Sequence, residues 1–166
     1  MINYPVQTES PPLILLKNWP NAQEDAYSVR KAVFIEEKGV PEDMEIDEFD
    51  SIADHALAYL AGQCVATARL VCLPKLSDSE GRAGSIGRIG RMAVLEPFRG
   101  HGLGRQMLEA LIQRAKSLGI REFHLHAQVD AIPFYERAGF LTRGDIYDEV
   151  GIPHRDMILI LSQDNH

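Results

Sequence analysis

Apolar side chains recur at two spacings along this 166-residue chain, and each change of spacing marks the edge of an element. Residues 13–17 form an apolar run of strand length. Over residues 21–38 the apolar positions Ala22, Ala26, Val29, Val33 and Phe34 fall at helical spacing, and Asn21 with Glu24 three residues on predicts a capping box with Asn as the cap. Gly39, Val40 and Pro41 end that helix. Residues 55–60 and 63–73 predict a hairpin turning at Ala61-Gly62. Residues 85–95 predict a further strand, with Ile86, Arg88, Gly90 and Met92 on one face of a regular pleat and with Gly87 and Gly90 marking a bulge or a close approach. Leu103, Met107, Leu108, Leu111, Ile112 and Ala115 then trace one face of a helix that stops at Gly119. Residues 122–129 read as a strand and residues 131–138 as a short helix closed by Gly139. Residues 140–149 and 155–161 read as a last hairpin around Gly151-Ile152-Pro153. Residues 1–12, with Pro5, Pro11 and Pro12, predict a loose arm, and residues 74–84 a polar loop.

Helices alternate with strands only in part, so the order predicts an α/β fold with a mixed sheet covered by helices. The strand-helix-strand unit over 85–129 should be parallel with a right-handed crossover. Length and a 45% apolar content fit one domain over residues 1–166. A net charge of −7 with no basic run argues against nucleic acid or an anionic membrane as partner and permits a cationic amine. No apolar run reaches membrane length and no hydrophobic signal core opens the chain, so a soluble, cytoplasmic protein is expected. Cys64 and Cys72 share one predicted strand and read as core thiols. The acidic residues Glu42, Asp43, Glu45, Asp47, Glu48, Asp50 and Asp54 read mostly as solvated surface, or as a rim that attracts an amine. The six histidines are scattered and His124-x-His126 lacks a third ligand at a useful spacing, so no metal is expected.

Chemistry concentrates in residues 91–119. Gly100, Gly102 and Gly104 free the backbone where the chain turns into the helix, and the unpaired amides of a first helical turn make an anion site. Arg99 and Arg105 bracket the loop, which points to a phosphate or pyrophosphate. A P-loop would need Lys and Ser or Thr after Gly104, where Arg105 and Gln106 stand, and the dinucleotide fingerprint puts Arg105 or Met107 where its last glycine belongs. What remains is Arg99-Gly100-His101-Gly102-Leu103-Gly104, directly after a strand ending Met92-Ala93-Val94. This resembles the acetyl-coenzyme A loop of the GNAT superfamily of N-acetyltransferases. Gln128, followed seven positions later by Tyr135 and then by Gly139-Phe140, resembles a second GNAT segment, with Gln128 where the family commonly has Asn. Arg30, Val33, Phe34, Glu37, Val40, Glu45, Asp47, Asp50 and His55, with Gly151-Ile152-Pro153-His154, resemble the ElaA-like and YjcF-like subgroup.

The resemblance implies a GNAT-type fold, mostly antiparallel with one central, splayed parallel pair and helices on both faces. It implies transfer of an acetyl group from acetyl-CoA to a primary amine by direct attack in a ternary complex, with no cysteine-acyl intermediate. By the same analogy Met92, Ala93 and Val94 border the pantetheine arm, and a backbone N–H near Val94 polarises the carbonyl. The loop amides of Gly100, His101, Gly102, Leu103 and Gly104, with Arg99 and Arg105, hold the pyrophosphate. Gln128, Phe134 and Tyr135 complete the cofactor set, and Tyr135 matches the general acid. The base is open among Glu37, His126, His154 and a relayed water; His124 shares the strand face of His126, and Glu37 could instead pair with Arg30 or Arg88. A homodimer is consistent with the family. The acceptor is undefined: a small metabolite amine, aminosugar, polyamine or peptide N-terminus. The rival readings are a non-catalytic acyl-CoA sensor and an interaction domain without a ligand.

Overall fold

A computed structural model describes residues 11–74 and 85–162, so the expected arm up to residue 10 and the polar loop from residue 75 lie outside the described residues. The elements run β1 (Leu13–Lys17), α1 (Trp19–Arg30), β2 (Asp54–Leu60), β3 (Gln63–Pro74), β4 (Ser85–Val94), α2 (Leu103–Ser117), β5 (Glu122–Gln128), α3 (Ile132–Arg137), β6 (Leu141–Glu149) and β7 (Ile152–Ile160). The fold is mixed α/β. Among the described residues seven strands are ordered β1-β2-β3-β4-β5-β7-β6, with β4 and β5 parallel as expected and antiparallel pairing at β1/β2, β5/β7 and β6/β7. No helix among the described residues is long and apolar enough to cross a membrane. Contacts divide the described residues into two units: one holds those up to Arg69 and from Arg91 to Leu111, the other those from Leu70 to Gly90 and from Ile112 onward.

In the first unit α1 begins earlier than its apolar spacing indicates. The cap is Asn18, not Asn21: the Asn18 Oδ1 accepts from the Asn21 backbone N–H at 3.2 Å and from its side-chain amide at 2.9 Å. Pro20 explains the offset, because a proline fits the first turn, where its missing N–H is no loss. Past Arg30 the helix widens into a π-helical turn over Lys31–Glu37, closed by Gly39 at φ 78° and by the Val40 N–H donating to the Phe34 carbonyl at 2.8 Å. Val29, Val33 and Phe34 pack with Ala93, and Ala22 and Ala26 with Leu57. The β2–β3 turn holds Ala61 at φ 50° and Gly62 at φ 82°, the all-positive pair of a two-residue hairpin.

The acidic stretch departs from the expected solvated surface at Glu45 and Asp50. Glu45 and Asp50 are 2% and 1% exposed and Asp47 is half-buried, while Glu42, Asp43 and Glu48 are exposed, as are Met44, Ile46 and Ile52. Arg30, fully buried, donates through Nε to Glu45 Oε1 at 2.5 Å and through Nη1 and Nη2 to the two Asp50 oxygens at 2.9 and 3.0 Å. Arg69 reaches Asp47 at 2.6 Å and Asp50 at 3.0 Å, and Arg91 reaches Asp47 and the Glu45 carbonyl, both at 3.1 Å through different nitrogens. Three arginines from three elements thus pair the carboxylates that sequence places alone. Arg91 itself has φ 50°, an unfavourable value for a side-chain-bearing residue, held by those bonds.

In the second unit the parallel ladder joins Ile86, Gly87 and Arg88 to Glu122, Phe123 and His124. Gly87 is the close approach: a Cβ there would lie 3.0 Å from the Phe123 ring and 3.1 Å from Leu70, whereas Gly90 has no such neighbour. Phe123, Leu125 and Ala127 of β5 face the core with Met157 of β7, leaving the even-numbered residues of β5 on the other face. The final turn is Val150-Gly151, at φ 47° and 80°, and not the expected Gly151-Ile152-Pro153. Ile152 and Pro153 already belong to β7, opposite Glu149 and Asp148, because a two-residue turn needs positive φ at both centres and proline cannot supply it. Cys64 is half-buried and Cys72, beyond the last fully buried position of β3, is exposed, so the expectation of two core thiols fails for Cys72.

Candidate functional site

The glycine loop gathers donors. Gly100 at φ 83° and Gly102 at φ 84° turn the chain into α2, whose Leu103, Met107, Leu108, Leu111 and Ala115 are buried. Among the described residues, no N–H from Gly100 through Arg105 donates to a backbone acceptor; the first to do so is Gln106, to the Gly102 carbonyl at 3.1 Å. Six successive amides at the positive end of a fifteen-residue helix are therefore open to an anion. His101 and Arg105 are exposed; Leu103 is buried and offers its amide only. Arg105 also pairs with Glu109 one turn on at 3.0 Å.

Arg99 and Glu37, expected in separate roles, meet. Arg99 donates through Nη1 and Nη2 to the two Glu37 carboxylate oxygens at 2.9 and 2.6 Å, and through Nε to the Val94 carbonyl at 2.8 Å. The bond from Arg99 and its charge hold the Glu37 carboxyl below its usual range. Glu37 pairs with neither Arg30 nor Arg88 in these bonds; Arg30 is committed to Glu45 and Asp50. A guanidinium has five N–H groups, so two remain on Arg99 for a further acceptor. Glu37 also lines an open cavity of about 490 Å³ with Val33, Glu36, Leu95, Glu96 and Phe98. Of the strand end, Ala93 is buried, while Met92 and Val94 are half-buried.

In the second unit Tyr135 of α3 is 7% exposed, edge-on to Phe134 and Phe140 with ring centres 4.9 and 5.9 Å away. Among the described residues its hydroxyl has no hydrogen-bond partner, and burial pushes the phenol up, so it stays a proton donor. Gln128 ends β5 directly opposite His154. His126 Nδ1 is 3.3 Å from Glu149, and His154, nearly buried, has Nδ1 2.7 Å from the Ile152 carbonyl. His124 is taken by Glu122 at 2.7 Å.

The profile of the Acetyltransferase (GNAT) family matches residues 16–140. The chain belongs to the GNAT acetyltransferase family. The uncharacterised N-acetyltransferase YjcF of Bacillus subtilis is 33% identical over 137 residues, covering 81% of this chain and 90% of YjcF. ElaA of Escherichia coli is 30% identical over 131 residues, covering 78% of this chain and 81% of ElaA. The ElaA crystal structure superposes with a TM-score of 0.74 over 90% of this chain and 99% of that one. A Pseudomonas aeruginosa acyl-CoA N-acyltransferase structure is 28% identical, with a TM-score of 0.71 over 90% of this chain and 99% of that one. As a GNAT acyltransferase the chain is a transferase that moves an acyl group from acyl-CoA to an amine.

Three residues of this GNAT chain escape sequence reasoning: Glu149, Tyr147 and Asp156, which surround His126 and His154. Their signal is the alternation of positions 147 and 149 with 154 and 156 about the two-residue turn, visible only once that turn is placed at Val150-Gly151.

Proposed function

We propose that this GNAT enzyme acetylates a primary amine, using acetyl-CoA in a ternary complex by direct attack, without an acyl-cysteine. The observation that carries the reading is the run of open amides from Gly100 to Arg105 beside Arg99, a donor set matched to a pyrophosphate. Acetyl-CoA supplies the acetyl group already activated as a thioester. The chain's residues do the rest. The loop amides and the two unused N–H groups of Arg99 bind the diphosphate, and Met92, Ala93 and Val94 border the pantetheine arm. Tyr135, kept protonated by burial, gives its hydroxyl proton to the departing sulfur. The amine's proton goes to the imidazole pair on β5 and β7, His126 and His154, rather than to Glu37, whose carboxylate is held by Arg99. Burial pushes the Cys64 thiol up to about 11, which argues against a thiolate nucleophile there.

The test is Tyr135→Phe, which removes one oxygen and keeps the ring packing on Phe134 and Phe140. In a thiol-release assay over a panel of primary amines, kcat should fall about 100-fold while the KM for acetyl-CoA stays within about twofold. An unchanged kcat would assign the acid to another group.

A further inference from the structure

One face of the β5, β7 and β6 strands gathers imidazole and carboxylate side chains. His126 lies opposite Asp156 and Gln128 opposite His154 on β5 and β7, while Tyr147 and Glu149 of β6 stand opposite His154 and Ile152. His154 Nδ1 faces the Ile152 carbonyl at 2.7 Å, and because a carbonyl only accepts, this nitrogen carries the ring proton. In the neutral ring Nε2 is then a bare lone pair. It faces Glu149 Oε2 at 3.8 Å, while the other Glu149 oxygen lies 3.3 Å from His126 Nδ1. Two acceptors at that separation repel unless a donor sits with both. Tyr147 does not supply it. Its ring stacks on His154 with centres 6.1 Å apart and meets His126 edge-on at 6.1 Å, and its hydroxyl is spent on Asp156 Oδ1 at 2.5 Å.

We propose that Glu149 Oε2 and His154 Nε2 together hold the ammonium group of the acceptor and receive its proton. This rests on the acyl-transfer reading and gives that reading its acceptor site, a primary ammonium with N–H groups for both atoms. On transfer an N–H bond of the ammonium breaks and an Nε2–H bond forms on His154, leaving the amine nitrogen its lone pair for attack. The new imidazolium stands beside the Glu149 carboxylate. His126, on the second Glu149 oxygen and 44% exposed, gives the proton a way to water. Arg143, opposite Asp156, and the Glu122–His124 pair lie farther along the same face and leave the Glu149 end to a cation.

The test titrates propylammonium chloride into the full chain and follows the imidazole Cε1–H proton signals of His126 and His154, with sodium propionate at matched ionic strength as control. Both signals should move saturably with propylammonium and not with propionate. Glu149→Gln should weaken the apparent affinity by about tenfold or more, the loss expected for one charge-assisted hydrogen bond. His154→Phe, which keeps the stack on Tyr147 and removes the acceptor, should weaken it likewise, read from His126. No movement, movement indifferent to both variants, or an equal response to propionate would overturn the proposal. Calorimetry with acetyl-CoA on the same samples separates the two readings: Glu149→Gln should bind acetyl-CoA as the parent does, and loss of cofactor binding in the parent with the imidazole response intact would reject acetyl transfer while leaving the ammonium site standing.

Discussion

Arg30→Ala should lower the unfolding free energy by about 3–5 kcal/mol, the range for removing one partner of a buried ion pair. The reason lies in what stays behind. Arg30 supplies bonds to Glu45 and to both oxygens of Asp50, and its loss leaves two carboxylates buried beside only Arg69 and Arg91. Urea unfolding followed by circular dichroism measures the change directly. The charges themselves are not the source of net stability, because replacing a whole buried set by apolar residues of similar volume is often neutral. Combining Arg30→Met with Glu45→Met and Asp50→Leu should therefore recover much of what Arg30→Ala loses, and no recovery would show that the network does more than cancel its own burial.

Acid offers a second view of the same network. Burial acts to raise the Asp50 carboxyl, but the bonds and charge of Arg30 outweigh it and hold the group at about 2. A carboxyl depressed in the fold stabilises it fully above its unfolded value near 4 and loses that contribution as pH falls toward 2. Asp47 is displaced the same way by Arg69 against its own burial, whereas burial leaves Glu45 raised, so Glu45 favours the fold in its protonated form and acts in the opposite sense. The loss of stability below pH about 4 should accordingly be shallower in Asp50→Asn than in the parent.

Gly102→Leu should reduce acetyl-CoA affinity by about 100-fold or more, near 2.7 kcal/mol, while the protein remains folded. Two physical facts separate binding from folding here. A Cβ at Gly102 would meet only the Gln106 side chain, at 4.0 Å, so nothing in the fold is crowded. The φ of 84° is nonetheless costly for an L residue, about 1–2 kcal/mol, and the added side chain would stand over the open amides. An unfolding free energy lowered by no more than about that 1–2 kcal/mol, with calorimetric binding lost, is the expected pair of results; undiminished binding in a folded variant would remove the loop from the cofactor site.

How much of this was visible in the letters depends on the sequence distance of each feature. The glycine loop, the apolar stripe of α2 and the Tyr135 segment are local, and spacing alone places them. The Asn18 cap is also local, but Asn21 with Glu24 imitates a cap and hides the role of Pro20. The charge network was illegible because its partners stand on α1, a loop, β3 and β4: Arg30 reaches 15 and 20 residues ahead, and Arg91 reaches 46 back. Glu45, Asp47 and Asp50 look as solvated as the other acids of their run until three arginines are brought beside them. The Arg99 and Glu37 pair spans 62 residues, which is why the two were assigned independently. Glu149 needed the register of β6 on β7, and a turn misplaced by one residue moves every side chain to the other face.

The most direct measurement of the central claim is a calorimetric titration of the purified chain with acetyl-CoA, followed in the same sample by a free-thiol assay over primary amines. Saturable binding with thiol released only when an amine is present is the predicted result. A folded sample that takes up no acetyl-CoA at any concentration would contradict it.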